Sequence, residues 1–191
     1  MYEIIYTDPP WSYNSRKAGA ERKDKTKFGG GAEKHYPLME DDELLALKPL
    51  VESWAASDCA LFMWATCPRL DFGIRLIEHW GFRYCTVAFA WVKTTRDGGL
   101  ISNPGFYTAS NIELVLLGVR GSMRPDQPMI QQVVMAPRGE HSRKPDEVRY
   151  RIEQMYPDAR RMEMFCRPVE NLFAIHQGWD VWGNEAEALY A

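Results

Sequence analysis

Asp8-Pro9-Pro10-Trp11 follows the apolar run Ile4-Ile5-Tyr6-Thr7 without a break. A core strand that ends in an acid, two prolines and an indole is not ordinary turn chemistry. Each proline fixes φ and removes a backbone donor. Both keep a carbonyl, and an ionised carboxylate also only accepts. A site made of acceptors suits a group that only donates, such as the exocyclic amine of a base. Trp11 adds a flat π surface, and stacking a base on such a surface contributes about 1–3 kcal/mol. An aromatic amine held by its face and by both hydrogens keeps its nitrogen lone pair free to attack. Taken alone, the four residues fit a proline-stiffened turn capped by Asp8 as well.

A second irregularity lies in Ser142-Arg143-Lys144-Pro145. Pro145 suits the first position of a helix, which makes Lys144 its N-cap. Lysine caps poorly, and its charge opposes the helix dipole there. Such a residue implies a demand from elsewhere, met by the carboxylate of a bound cofactor or by a phosphate, against the alternative of a solvated loop lysine. Ser142 is a weaker candidate. Glu163 and Phe165 fall on one face of a late strand by alternation, so Glu163 reads as an inward acid that needs a partner. Asn184 and Glu185 follow the last strand, where an acid in a nucleotide-binding sheet takes ribose hydroxyls. A polar C-terminal tail is the alternative, and it fits Glu187 better. Tyr36, between His35 and Pro37, reads on its own as a packing residue.

These residues need strands and helices to carry them. Residues 4–7, 59–64, 84–93, 112–119, 131–136, 160–166 and 178–182 read as strands. A helix is expected over 39–54, with Asp41 and Asp42 in its first turn. Another runs over 68–82, with Pro68 at its start, Gly81 at its end and Leu70, Ile74 and Ile77 on its apolar face. A third covers 145–156 and buries Val148, Ile152 and Met155. Strands alternating with helices give an α/β sandwich around a mainly parallel sheet. Ligands of such sheets bind at the carboxyl ends of the strands, where Asp8 falls.

With 191 residues, 46% of them hydrophobic and 13% aromatic, the chain suits one globular domain over 1–191. The net charge of −3 argues against a general nucleic-acid coat protein. It leaves room for a nucleic-acid enzyme, because local patches matter more than the total. The polar, glycine-rich stretch 14–34 carries Arg16, Lys17, Arg22, Lys23, Lys25 and Lys27. It reads as a mobile basic loop, either merely solvated or ordering on a phosphate backbone. Arg138, Arg143 and Arg149 are further candidates for backbone contact. The four cysteines form no C-x-x-C pair and no zinc spacing, so no metal is expected. No signal peptide opens the sequence, and no apolar run approaches the ~20 residues of a membrane span. The expected location is the cytoplasm of a bacterium or of a phage-infected host.

The motifs also resemble a family. An Asp-Pro-Pro-Trp after a strand is similar to the motif of amino-methyltransferases that use S-adenosylmethionine. The segments "EKHYPLMEDDEL", "LFMW", "WVKT", "HSRKPDE", "RRMEMFCRP" and "GWDVWGNE" follow in order. Together they resemble the family named for the seventy-kilodalton adenosine-methyltransferase subunit, and above all its short phage and bacterial DNA-methyltransferase branch. The resemblance implies a Rossmann-like methyltransferase fold with a mainly parallel central sheet and helices on both faces. The order is permuted, with the catalytic half first and the cofactor half last.

By that resemblance, Asp8, Pro9, Pro10 and Trp11 are catalytic. Tyr36, Glu113, Ser142 and Lys144 line the substrate pocket. Asp8, Lys144, Glu163, Phe165, Arg167, Asn184 and Glu185 hold S-adenosylmethionine. Val169 and Glu170 depart from the polar pair of the eukaryotic members, so Gln177, Gly178 or residues near Tyr2 are expected to hold the cofactor's adenine. The implied reaction is methylation of the adenine amino group in DNA, with the base turned out of a duplex and a homodimer as a further expectation. RNA is the less favoured substrate. A protein glutamine amide is disfavoured by Asp8 and Trp11. A non-catalytic nucleic-acid-binding partner of an active subunit is the remaining alternative.

Overall fold

The computed structural model describes residues 1–12, 38–103, 107–139, 143–166 and 178–183. The basic stretch 14–34 lies outside them. In chain order the elements are β1 (Tyr2–Thr7), α1 (Asp41–Ala46), α2 (Lys48–Trp54), β2 (Ala55–Ala65), a short 3-10 turn (Cys67–Arg69), α3 (Leu70–His79), β3 (Arg83–Thr94), β4 (Ile112–Arg120), β5 (Val133–Pro137), α4 (Asp146–Met155), β6 (Arg161–Met164) and β7 (Trp179–Trp182).

The strands form one seven-stranded sheet in the order β5-β3-β4-β2-β1-β6-β7. β1 pairs in parallel with both β2 and β6, β6 with β7, and β3 with β5. β4 alone runs antiparallel, between β2 and β3. The sheet is mainly parallel, as expected, with β4 its single reversed strand. Because only β4 is reversed, the carboxyl ends of the other six strands and the start of β4 share one edge.

Both faces of the sheet are covered. Ile5, Leu61, Met63, Met162 and Met164 pack with Leu44, Val51, Phe72, Leu76 and Ile77 of α1–α3. The alternate residues Ile4, Tyr6, Phe62, Trp64, Phe89 and Trp91 pack with Val148 and Ile152 of α4. β1 can be apolar throughout because a helix layer meets each of its faces. Gly118 on β4 is required by close approach: a Cβ there would sit 2.5 Å from Ile77 Cγ2.

Some boundaries differ from expectation, each for a local reason. The helix expected over 39–54 is two helices, with Leu47 ending α1 and capping α2. Pro49 lies in the first turn of α2 and has no N–H to extend α1. β2 starts at Ala55, before its apolar run, with exposed Ser57 and Asp58 inside it. α3 buries Phe72, Gly73, Leu76 and Ile77, while Leu70 and Ile74 lie at the margin of that face. Gly81 ends this segment as expected, with a left-handed φ of 87°.

Candidate active site

Asp8 continues the alternation of Ile4 and Tyr6, so it emerges on the α4 side of the sheet at the carboxyl edge. Lys144 reaches it from the start of α4: its Nζ lies 2.9 Å from Asp8 Oδ2 and 3.2 Å from Glu113 Oε2. Glu113 is the second residue of β4, on the far side of β2 from β1, and its other oxygen accepts from Lys93 Nζ of β3 at 2.5 Å. The result is a row of alternating charges, Asp8, Lys144, Glu113 and Lys93, drawn from four elements. The register explains the last contact. Trp91 faces Glu113 across β3 and β4, and Lys93 is the next residue on the same side of its strand.

Two indoles floor this row. Lys144 Nζ rests 5.4 Å from the Trp64 ring and Lys93 Nζ 5.1 Å from the Trp91 ring. The two rings meet edge to face at 6.0 Å. Trp64 Nε1 donates to the Tyr6 hydroxyl at 2.6 Å, and Trp91 Nε1 donates to the Ala136 carbonyl at 2.9 Å. Burial, and then the Glu163 charge, push the Tyr6 phenol above its usual range. It therefore stays neutral beneath the charges.

Burial opposes charge on Lys144, but Asp8 and then Glu113 outweigh it and hold the ammonium above its ordinary value. Burial likewise opposes charge on Glu113. The Lys144 and Lys93 ammoniums outweigh that, and the carboxyl falls below its usual range. Lys144 and Glu113 are thus both held in their charged forms at neutral pH. Lys144 is not the N-cap expected from the sequence. Pro145 is itself the N-cap of α4, and Lys144 stands one place outside the helix. The demand on Lys144 comes from two carboxylates.

The Asp-Pro-Pro-Trp turn is laced to the start of α1. Pro9 O accepts the Trp11 N–H at 2.8 Å and Pro10 O accepts the Met39 N–H at 2.9 Å. Ser12 N–H donates to Met39 O, and Ser12 Oγ donates to Glu40 at 2.9 Å. The proline carbonyls expected as substrate acceptors are thus partly committed to the turn, each carbonyl having two lone pairs. Trp11 is only 4% exposed. It packs edge-on against Phe72 at 6.0 Å, with the Arg69 guanidinium above both rings and paired to Asp41. The open stacking face expected of Trp11 is therefore filled by protein.

Glu163 is an inward acid with a partner, as expected, and the partner is Arg149 of α4 at 2.6 Å. This corrects the reading of Arg149 as a phosphate-backbone contact, because its side chain is buried in the ion pair. Phe165 does not share a face with Glu163. The strand ends at Met164, Phe165 turns at φ 60°, and its ring meets Trp182 at 5.4 Å on the α1–α3 side. Beyond β2, Thr66, Cys67, Pro68, Lys93, Ser110, Ile112 and Glu113 line a hollow of about 200 Å³. Tyr36, Ser142, Arg167, Asn184 and Glu185 lie outside the described residues. Lys93 and the paired indoles escaped sequence reasoning. The signal was the alternation of Trp91 and Lys93, which needs the β3–β4 register to become a contact.

The sheet, its carboxyl-edge acid and the Asp-Pro-Pro-Trp turn are those of a Rossmann-like methyltransferase. The MT-A70 family model matches residues 2–185, and the chain belongs to that family of adenine-N6 methyltransferases. The Type II methyltransferase M.MunI of a Mycoplasma species is 38% identical over 96% of this chain and 77% of its own length. A putative N(6)-adenosine-methyltransferase MT-A70-like protein of Medicago truncatula is 27% identical over 98% of this chain. The human N(6)-adenosine-methyltransferase catalytic subunit METTL3 is 25% identical over 99% of it. The chain spans 27% and 29% of the lengths of these two eukaryotic relatives.

Proposed function

We propose that this chain transfers a methyl group from S-adenosylmethionine to the N6 amine of adenine in DNA. The observation that carries the reading is Asp8 at the carboxyl end of β1, paired with Lys144 at 2.9 Å and braced through it to Glu113. The residues present fit the cofactor. Lys144 brings a cation to the edge where a carboxylate is to be met. Among the described residues, buried Thr7 Oγ1 and Trp11 Nε1 flank Asp8 without hydrogen-bond partners, as expected of a segment that completes its bonding with a ligand. Lys144 and Asp8 would hold the amino-acid end. Phe165, Arg167, Asn184 and Glu185, at or just after the ends of β6 and β7, are assigned to the rest.

S-adenosylmethionine supplies a methyl group on a positively charged sulfur. The chain's task is to align an amine with it. Asp8 accepts hydrogen bonds from the N6 amine, with the Pro9 carbonyl assisting, and stabilises the positive charge that grows on the nitrogen until its excess proton is released to solvent. Glu113 and Tyr36 line the adenine side with Ser142, and Glu113 keeps Lys144 in place between the two ligands. Positioning of this kind supplies about 7–11 kcal/mol of barrier reduction. Trp11 acts from beneath, by fixing the turn.

DNA is favoured over RNA because the 38% identical relative is a Type II methyltransferase. We place the protein in the cytoplasm of a bacterium or phage-infected host, as one domain over 1–191 that pairs into a homodimer. Among the described residues no helix is long and apolar enough to cross a membrane. Transfer of labelled methyl groups to plasmid DNA, single-stranded DNA and RNA tests the substrate. Label in DNA is expected, and label in RNA alone would replace DNA as the substrate.

A further inference from the structure

Of the four charges in the row, Lys93 stands farthest from Asp8. Its main chain is fixed inside the sheet. The N–H donates to Asn111 O at 2.8 Å and the carbonyl accepts from Ile101 N–H at 3.0 Å, while β5 places Ala136 along the other side. Its Nζ rests 5.1 Å from the Trp91 ring, whose own nitrogen is tied to Ala136 O. Lys144 and Trp64 repeat this unit on the other side of Glu113, and the two indoles meet edge to face. A side chain carried by a bonded strand and a locked ring is aimed with little freedom.

Each oxygen of Glu113 therefore meets a different lysine, Oε1 with Lys93 at 2.5 Å and Oε2 with Lys144 at 3.2 Å. A carboxylate held at both oxygens cannot turn about its last bond without breaking a pair. Exposed ion pairs contribute little, because water replaces them. Here the Lys93 and Glu113 side chains are only 14% and 12% exposed, so loss of one strands the other. β4 and β2 separate β3 from β1, which puts the main chains of Lys93 and Asp8 about 14 Å apart at the ordinary strand spacing. Lys93 thus reaches Asp8 only through Glu113 and Lys144. Without it, one ammonium would serve two carboxylates, and Glu113 would compete with Asp8 for Lys144.

We infer that Lys93 is a positioning residue for methyl transfer: it holds Glu113 Oε1 so that Oε2 keeps Lys144 against Asp8. The inference rests on the reading of adenine methylation at Asp8. The groups that face Glu113 are Lys93 of β3, Lys144 ahead of α4 with Asp8 behind it, and Thr66, Cys67 and Ser110 across the hollow. Burial opposes the Glu113 charge, and Lys144 and then Lys93 outweigh it. Lys93→Met keeps a stem over Trp91 and removes one of those two cations. The carboxyl then rises and takes a proton at higher pH. A protonated Glu113 no longer holds Lys144, so the rate of transfer falls with it.

The test measures kcat and KM on DNA across pH for wild type, Lys93→Met, a second neutral variant Lys93→Gln, Lys93→Arg, Glu113→Gln and the Lys93→Met/Glu113→Gln pair, each first confirmed folded. Both neutral variants should lower kcat about ten- to a hundredfold at neutral pH and move the acid limb of the kcat profile to higher pH. Lys93→Arg keeps a cation and should recover most of the rate. In the Glu113→Gln chain Lys93→Met should have no further effect on kcat, because the path runs through that carboxylate. Carboxyl-carbon NMR should show the Glu113 titration rising in Lys93→Met without any turnover. An unmoved acid limb, or the full Lys93→Met loss in the Glu113→Gln chain, would overturn the inference. So would a loss confined to the KM for DNA that varies with salt, which would make Lys93 a phosphate contact. No methyladenine from wild type on DNA or RNA would defeat the adenine reading and the role of Lys93 in it, and the NMR titration would still decide whether Lys93 holds Glu113.

Discussion

Replacing Lys144 with methionine keeps the stem over Trp64 and removes the ammonium that Asp8 and Glu113 share. The two contacts, at 2.9 and 3.2 Å, each correspond to about 5 kcal/mol of attraction at an effective dielectric of ~20. Most of that is offset by desolvation of the three charges. Removing one partner from a buried pair costs about 3–5 kcal/mol. The three side chains are 12–24% exposed, which places the loss at the lower end, about 3 kcal/mol. For a chain of this length that lowers Tm by about 6–12 °C.

The pH dependence separates charge from packing. In the wild type, Glu113 is held below its unfolded value, so its contribution is present above ~4.3 and is lost as pH falls through the folded value. In Lys144→Met the larger of its two stabilising cations is gone and the burial remains, so the carboxyl rises. Acid then relieves the variant while it weakens the wild type. Thermal unfolding followed by circular dichroism should show the Tm gap shrinking from about pH 7 toward about pH 4. Adding Glu113→Gln should recover much of the loss at neutral pH, because a charge without its partner has been removed. A gap of the same size at both pH values would refute the electrostatic reasoning and leave Lys144 a packing residue.

Three further outcomes check other parts of the structure. Gly118→Ala should destabilise by about 1–3 kcal/mol in denaturant titration, because its methyl group would collide with Ile77 on α3. Cys67 and Cys85 are exposed while Cys59 and Cys166 are buried, and burial pushes the Cys59 thiol up to about 12. A thiol reagent near neutral pH should therefore modify two of the four cysteines quickly and the others only on unfolding. Arg149→Met should cost about 3 kcal/mol by stranding Glu163, and Glu163→Gln in the same chain should return part of it, as read by chemical denaturation.

Asp8 was legible in the sequence because it breaks two local rules at once, ending an apolar strand and preceding paired prolines. Lys144 was legible for the same kind of reason, although its place relative to the cap of α4 was one residue off. Strands and helices followed from periodicity. Their pairing did not, because a period of two is the same for parallel and antiparallel neighbours, and so the reversal of β4 was invisible. Lys93 was missed with it, since its contact with Glu113 exists only through that register. Arg149 was misread as a surface cation because its partner Glu163 lies on another element and 14 residues away in sequence. The filled face of Trp11 was hidden similarly, since Phe72 and Arg69 reach it from beyond β2.

The most direct measurement is mass spectrometry of nucleosides from unmethylated DNA incubated with S-adenosylmethionine and either wild type or Asp8→Ala, each first confirmed folded. N6-methyladenine from the wild type and its loss in the variant is the expected result. N6-methyladenine made equally well without the Asp8 carboxylate would contradict the central role given to it.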